Sequence, residues 1–363
     1  MPSTLRSPAP TDLIASSRKR HLTLAILTLC LLSALCLLLI VSAASGQLKL
    51  PAGEVFSSLL HKIGLGGGPV TAHPQGESAL WTIRFPRVLL AALVGAALAV
   101  GGAIMQGVFG NPLADPGVVG VSSGAAAAAC TAMVFNIAIF GAWTTPIFAF
   151  VGGLAVTLIV YAMSRSNGRT EVVTLVLTGV AINAVAGAVI AFLTFIGDQQ
   201  SREQIIFWQL GSLNGTRWQY VAVVAPLVLI GIVAAMLISR KLDLLSLGER
   251  SARHLGVNVE RLRIVSVVIV AILTAAAVAF CGIISFVGLV VPHIVRMLIG
   301  PGHRALIPIS ALGGAVLLSG ADLVARTAVL YADLPIGMLT SLVGGPFFFY
   351  LIRKTRKSAG GWA

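Results

Sequence analysis

From Val88 to Phe109 the chain runs for twenty-two residues without a charged side chain, and that run fixes most of what the rest can be. At ~1.5 Å rise per residue, a helix of this length covers the ~30 Å hydrocarbon core of a bilayer. Lipid offers no partner for backbone N–H and C=O groups, so a single apolar run of this length must bond them within itself, as an α-helix does. The run begins behind Arg84-Phe-Pro86-Arg87 and leaves through Gly110-Asn-Pro-Leu-Ala-Asp-Pro-Gly117. Pro86 and the two arginines suit an aqueous lip, where a helix can start without its first N–H groups. The exit turn places Asn111 and Asp115 at a membrane face with no basic anchor. That is unusual for a plain connector, although Asn-Pro and Asp-Pro are ordinary turn dipeptides.

Similar runs, read against turn and charge punctuation, predict ten spans near 22–44, 87–109, 117–136, 143–163, 171–197, 219–240, 262–280, 283–299, 305–328 and 336–352. The expected fold is an all-α polytopic bundle, with tails at 1–21 and 353–363 around one membrane domain at 22–352. The pair covering 262–299 is the tightest hairpin, with a short second limb. Arg18-Lys-Arg20 precedes the first span as in a signal peptide, but the span is too long for a typical h-region and no small-residue cleavage site closes it. Composition agrees: 57% of residues are hydrophobic, 10% are charged, and mean hydropathy is +0.96.

The net charge of +13 is a topology signal. The cations lie between apolar runs, neither clustered in a domain nor interleaved with aromatics, so nucleic acid is excluded as a partner. With the N-terminus inside, eighteen Lys and Arg residues are cytoplasmic, and seven (Lys49, Lys62, Arg84, Arg87, Arg202, Arg217 and Arg326) are outside. This positive-inside bias puts both termini in the cytoplasm. Trp81, Trp143, Trp208, Trp218 and Tyr331 fall near outer span ends, as an aromatic belt does. The outer loop 45–81 carries His61 and His73 and a Gly-rich portion, Gly64 to Pro69, expected to be flexible. A second outer segment, 198–218, contains Phe207-Trp-Gln-Leu-Gly-Ser-Leu-Asn-Gly-Thr-Arg-Trp218.

Enzyme chemistry has no footing here. Cys30, Cys36, Cys130 and Cys281 lie in apolar runs with no CxxC spacing, so neither a disulfide framework nor a zinc site is expected. No catalytic dyad or metal-ligand spacing is present, so there is no catalytic residue and no metal. A P-loop is missing, since Lys354 and Lys357 precede Thr and Ser but follow no glycine. A proton- or sodium-coupled carrier needs ionisable groups within its spans. Only Asp322 and Arg326 come close, four apart on one helix face and explicable as a local pair. His293 follows a proline near an inner span end and suits packing better than ligation. The 39 glycines and runs such as Ala125 to Ala129 allow close helix approach in lipid.

The stretch 84–120 resembles the signature of the iron-siderophore, haem and vitamin B12 importer permeases, the membrane subunits of one class of ATP-driven (ABC) importers. The likeness resumes at Leu247-Gly-Glu-Arg-Ser-Ala-Arg-His-Leu-Gly256, Phe286-Val-Gly-Leu-Val-Val-Pro-His293-Ile-Val-Arg296 and Ser319-Gly-Ala-Asp322-Leu-Val-Ala-Arg326. It closes with Leu334-Pro-Ile-Gly-Met-Leu-Thr340 and Gly344-Gly-Pro-Phe347, so that order and spacing match over 80–356. The fold implied is a vitamin B12-importer-permease-like bundle of about ten helices in a bacterial inner membrane.

The resemblance implies a non-enzymatic transport subunit that pairs with a second copy of itself, a cytoplasmic ATPase dimer and an extracytoplasmic substrate-binding protein. ATP would be bound by the ATPase, with no cofactor resident in this chain. The loop 241–262 has an apolar face at helical spacing and a C-cap glycine, Gly256. An interfacial helix on the bilayer would use the same pattern. The resemblance favours ATPase coupling through Leu247, Gly248, Ala252, Leu255 and Gly256. It also implies a cytoplasmic gate from Asn111 and Leu113 opposite Val172 and Val173. Arg84, Arg87 and Arg326 would dock the binding protein; lipid anchoring is their ordinary alternative. The 207–218 segment is most similar to the haem branch, which makes haem the expected cargo, with ferric siderophore and then cobalamin as alternatives.

Overall fold

The computed structural model describes residues 10–166, 169–329 and 331–358. The parts of the predicted tails at 1–9 and 359–363 lie outside the described residues. Seven helices are long and apolar enough to cross a membrane: α1 (Pro10–Ala44), α4 (Phe85–Phe109), α6 (Thr144–Met163), α7 (Val172–Ile196), α9 (Trp218–Leu245), α11 (Val259–Cys281) and α13 (His303–Thr327). Three shorter apolar helices complete the bundle: α5 (Val121–Val134), α12 (Val287–Ile299) and α14 (Ile336–Ser358). The predicted spans thus resolve into seven full crossings and three shorter apolar helices. The fold is all-α; its β structure among the described residues is a hairpin of two-residue strands, β1 (Arg165–Ser166) and β2 (Arg169–Thr170).

Helix α4 is the axis, and nearly all its residues are buried. Glycine makes this possible. A Cβ at Gly95 would stand 2.1 Å from the Gly314 carbonyl oxygen on α13, and one at Gly102 would stand 1.6 Å from the Gly288 carbonyl oxygen on α12. Without side chains at these points the backbones touch, which gives dispersion contact where lipid offers no hydrophobic drive for helix association. Pro116 wedges beside both Gly101 and Gly288.

The start of α12 explains the short hairpin limb seen in the sequence. At 13 residues it covers ~20 Å, so it cannot cross alone. The segment 283–285 returns from the end of α11 outside any helix, turning through Gly282 at φ 69° and Phe286 at φ 68°. Unwound backbone at membrane depth survives only where it is buried in protein. Here Ser212 N–H donates to the adjoining Cys281 carbonyl at 2.8 Å, and a Cβ at Gly211 or Gly337 would stand 2.5 Å from the Ile283 carbonyl oxygen, so backbone from two other segments packs on the turn.

The outer side holds more structure than the sequence suggested. The loop 45–81 folds as α2 (Ala52–Lys62) and α3 (Gly76–Ala79), and α8 (Gln199–Leu210) occupies most of 198–218. Val55, Leu50, Val70 and Leu80 form a small buried cluster against Ala43. Glu54 carboxylate accepts from the N–H groups of Thr71 and Ala72 at 2.8 and 2.9 Å, pinning the loop's far end.

Pro86 stands in the first turn of α4, as expected of a helix start, but the chain is already helical before it. A π turn at Leu80–Arg84 joins α3 to α4 through it, so the continuous span is Gly76–Phe109. The wide turn sends Phe85 N–H to Leu80 and leaves the Trp81 carbonyl without a helical donor. The indole of Trp218 supplies one at 2.6 Å.

If backbone contact at α4 holds the bundle together, Gly102→Ala should force α4 and α12 apart. We expect a loss of about 1–3 kcal/mol or more, typical of overpacking. The measurement is the unfolding temperature in detergent. Gly53→Ala, on α2 with open space around it, should leave that temperature unchanged or raise it slightly.

Candidate functional site

Two ends of the bundle carry the sequence-predicted residues. At the end predicted to be outer, Arg84, Arg87 and Arg326 converge, but they face inward. Arg87 Nε donates to Asp322 Oδ1 at 2.8 Å and Nη1 to Asp333 Oδ2 at 2.6 Å. Arg326 Nε pairs with the other oxygen of Asp322 at 3.2 Å, so the predicted local pair exists within a larger network. Arg326 also donates to the carbonyls of Ser45 and Ser42 at 3.1 and 2.8 Å. Arg84 donates to those of Ala43 and Ala44 at 2.6 and 3.1 Å, and to Leu48.

The carbonyls of Ser42, Ala43 and Ala44 belong to the last turn of α1, where carbonyls lack helical donors and cations meet the favourable end of the helix dipole. The network therefore clamps α1, α4 and α13. This corrects the picture of three arginines held out at the rim: the side chains of Arg87 and Arg326 are each 8% exposed. Burial without partners would be costly in a membrane, so the chain supplies partners. The sequence reading missed Asp333, which lies 246 residues from Arg87. Its one local sign was its place just before Leu334-Pro335.

At the opposite end, Gly110 closes α4 in the left-handed conformation at φ 59°. Asn111 Oδ1 accepts from Leu113 N–H at 2.9 Å, which shapes the turn. Asp115 Oδ1 accepts from Gly117 N–H at 2.7 Å and caps a 3₁₀ turn, Pro116–Val119. Burial pushes the Asp115 carboxyl above its ordinary range, with the Gly117 N–H opposing. His293 sits against the backbone of Pro112, a packing position at this turn.

The second gate segment starts α7. Val173 is exposed and Val172 half-buried. Helix α7 lies directly on the first segment, since a Cβ at Gly179 would meet the Val118 carbonyl oxygen at 1.8 Å. Asn183 adds a bond to the Gly117 carbonyl at 3.3 Å and one with Ser123 at 2.5 Å. Within one chain α7 is thus fastened to the turn that follows α4, which brings the two predicted gate segments onto one packed unit.

The coupling segment is not one continuous apolar face. Gly248, at φ 100°, ends the α9 helix region and starts α10 (Glu249–His254). Leu245 and Ala252 turn into the bundle core, whereas Leu247 and Leu255 are 63% and 57% exposed on either side of α10. The expected C-cap is present. Gly256, at φ 83°, donates to Arg253 at 3.0 Å while Val257 N–H donates to Ala252 at 3.0 Å, the paired bonds of a Schellman turn.

The segment 199–214 and Phe280 line a cavity of about 480 Å³ whose lining mixes Phe207 and Trp208 with Gln200, Glu203, Gln204 and Asn214. Of the outer-loop histidines, His61 is exposed and His73 half-buried.

The chain belongs to the FecCD transport family, whose profile matches residues 34–354. It is 46% identical to the hemin transport system permease protein of Yersinia pestis, over 78% of this chain and 87% of that one. It is 41% identical to the cobalamin import system permease protein of Halobacterium salinarum, over 86% of this chain and 82% of that one. Identity to the Fe(3+)-citrate import system permease protein of Bacillus subtilis is 41%, over 76% and 81%. Among solved structures, a metal-chelate type ABC transporter in an inward-facing conformation superposes with a TM-score of 0.79 at 30% identity, over 91% of this chain and 99% of that one. This is a multi-pass membrane protein, the permease subunit of an ABC importer.

The outer network makes a graded prediction. Asp322→Ala leaves two buried guanidinium groups without their shared carboxylate and should cost about 3–5 kcal/mol. Asp333→Ala, at a carboxylate 32% exposed, should cost about 1 kcal/mol or less. Thermal unfolding of the two purified variants checks the order.

Proposed function

We propose that two copies of this chain form the translocation pathway of a haem importer, with a cytoplasmic ATPase dimer on one face and a substrate-binding protein on the other. The observation that carries the cargo assignment is the 46% identity to a hemin permease over most of both chains. The Phe207–Trp218 segment supports it, since its Phe207 and Trp208 suit a planar apolar ligand and line the outer cavity. The cobalamin and ferric-citrate relatives define the rival cargoes.

The second copy is proposed to pack along α7, which leaves Val173, Leu177, Val180 and Phe192 uncovered in one chain. Leu247 and Leu255, standing out around α10, fit an apolar cleft on the ATPase, with Gly248 and Gly256 giving the short helix its tight entry and exit. Asn111 and Leu113 of one copy face Val172 and Val173 of the other across the cytoplasmic gate. The binding protein docks over the rim framed by Arg84, Arg87 and Arg326; three guanidinium groups against two carboxylates leave that rim cationic. Both termini lie in the cytoplasm, which puts α10 on the ATPase side. ATP closes the ATPase dimer, α10 moves, and the two bundles rock between outward and inward states.

A strain dependent on this system should grow on haem as sole iron source and lose that growth on deletion of the gene. Retained haem growth with lost growth on a ferric siderophore would transfer the cargo to the siderophore. In proteoliposomes with the partner ATPase, Leu255→Glu should insert normally and cut transport at least tenfold. Transport at the normal rate would remove α10 from the coupling role.

A further inference from the structure

On the face that carries α10, one guanidinium touches two elements that the proposed cycle has to move. Arg263, buried in α11, donates through Nη1 to the Thr170 carbonyl at 2.8 Å and through Nη2 to the carboxylate of Glu249. Glu249 is the first residue of α10. Thr170 ends β2 and stands two residues before α7 begins.

The remaining polar groups of Thr170 are also held. Its N–H donates to Glu260 Oε2 at 3.0 Å and its hydroxyl to Glu260 Oε1 at 2.5 Å. The Tyr161 hydroxyl, from the end of α6, donates to the same Oε1 at 2.7 Å. The entry to α7 is thus fixed to α11 through every polar atom of one buried residue. By contrast, α10 is a six-residue helix between two left-handed glycines, Gly248 and Gly256, with open space around both. Its attachment to the gate side runs through Glu249 and Arg263.

We propose that Arg263, bonded to the Thr170 that Glu260 holds in place, is a positioning residue that makes α10 and the first turn of α7 move as one piece, delivering the ATPase stroke to the cytoplasmic gate. The proposal rests on the coupling and gate roles given above. Arginine suits this task because its planar fork bonds two acceptors at once in fixed relative geometry, which an ammonium on a flexible stem does not reproduce. Cutting the strap leaves both attached elements folded on their own contacts: α10 through buried Ala252 and its Schellman turn, and α7 through Gly179 on Val118.

The test uses the full complex with its ATPase in proteoliposomes, with a spin label on Glu171→Cys in both copies and Cys30 and Cys36 replaced by Ser. Glu171 is exposed and stands immediately before the two valines that begin α7. In the otherwise unchanged complex, the distance between the two labels shifts when ATP is added. In Arg263→Gln, ATP hydrolysis should stay within twofold, transport should fall at least tenfold, and the label distance should stay at its resting value. Arg263→Lys, which can reach one acceptor but not both, should fall between. If Arg263→Gln does not assemble, Glu260→Gln, at a side chain 24% exposed, is judged by the same criteria.

Transport within twofold of normal, or an ATP-driven label shift that survives in the variants, overturns the strap and leaves the coupling and gate roles standing. A normal complex that transports with no label shift removes the gate role and the strap with it.

Discussion

The backbone contacts of α4 are what the rest of the molecule depends on. Where Gly95 meets Gly314 and Gly102 meets Gly288, no side chain separates the helices. In lipid, exposed apolar surface carries no penalty that packing could relieve, so cohesion has to come from dispersion at close range and from bonded polar groups. Glycine supplies the first. It also frees the space into which Pro116 fits, and so allows the turn after α4 to fold back against the helix it has just left.

Polar groups supply the second source of cohesion, and the two ends of the bundle use them differently. At one end, Arg84, Arg87 and Arg326 join three helices through the buried Asp322, the partly exposed Asp333 and the open carbonyls of α1. Removing Asp322 strands two guanidinium groups at once, so this end behaves as one body. At the opposite end, charged residues sit on short elements between glycines, partly in water, where each bond is worth less. The distribution of burial thus gives one stiff end and one that is more loosely held, which suits the rocking motion proposed above.

The spans were legible in the sequence because each is announced by a long uncharged run and closed by glycine, proline or a cation; Val88 to Phe109 shows all of these. The unwound entry to α12 was not, because nothing local to Gly282–Phe286 reveals that the backbone at Gly211 and Gly337 will pack against it. Helices α2 and α8 escaped for a different reason: they mix Glu54, His61, Gln200 and Glu203 with apolar residues, as helices on a wet surface do. The arginines were found as residues but misread in orientation. Sequence shows a cation at a helix end, and only the fold shows that Asp322 and Asp333 are waiting there. For the coupling segment, the Leu247–Gly256 motif was legible, while the inward turn of Leu245 and Ala252 depends on a break at Gly248 that helical spacing ignores.

The pairing of Arg87 with Asp322 spans 235 residues, and this bears on how the protein is made. At about 5–20 residues per second, the ribosome needs about ten to fifty seconds to synthesise that interval. During all of it α4 is already long enough to occupy the bilayer, yet Arg87 has no carboxylate to meet. An arginine in that position can reach the headgroups along its own stem, which holds α4 near the surface at that end. The arrival of α13 is then the event that draws it inward, so the last third of the chain completes the insertion of the first.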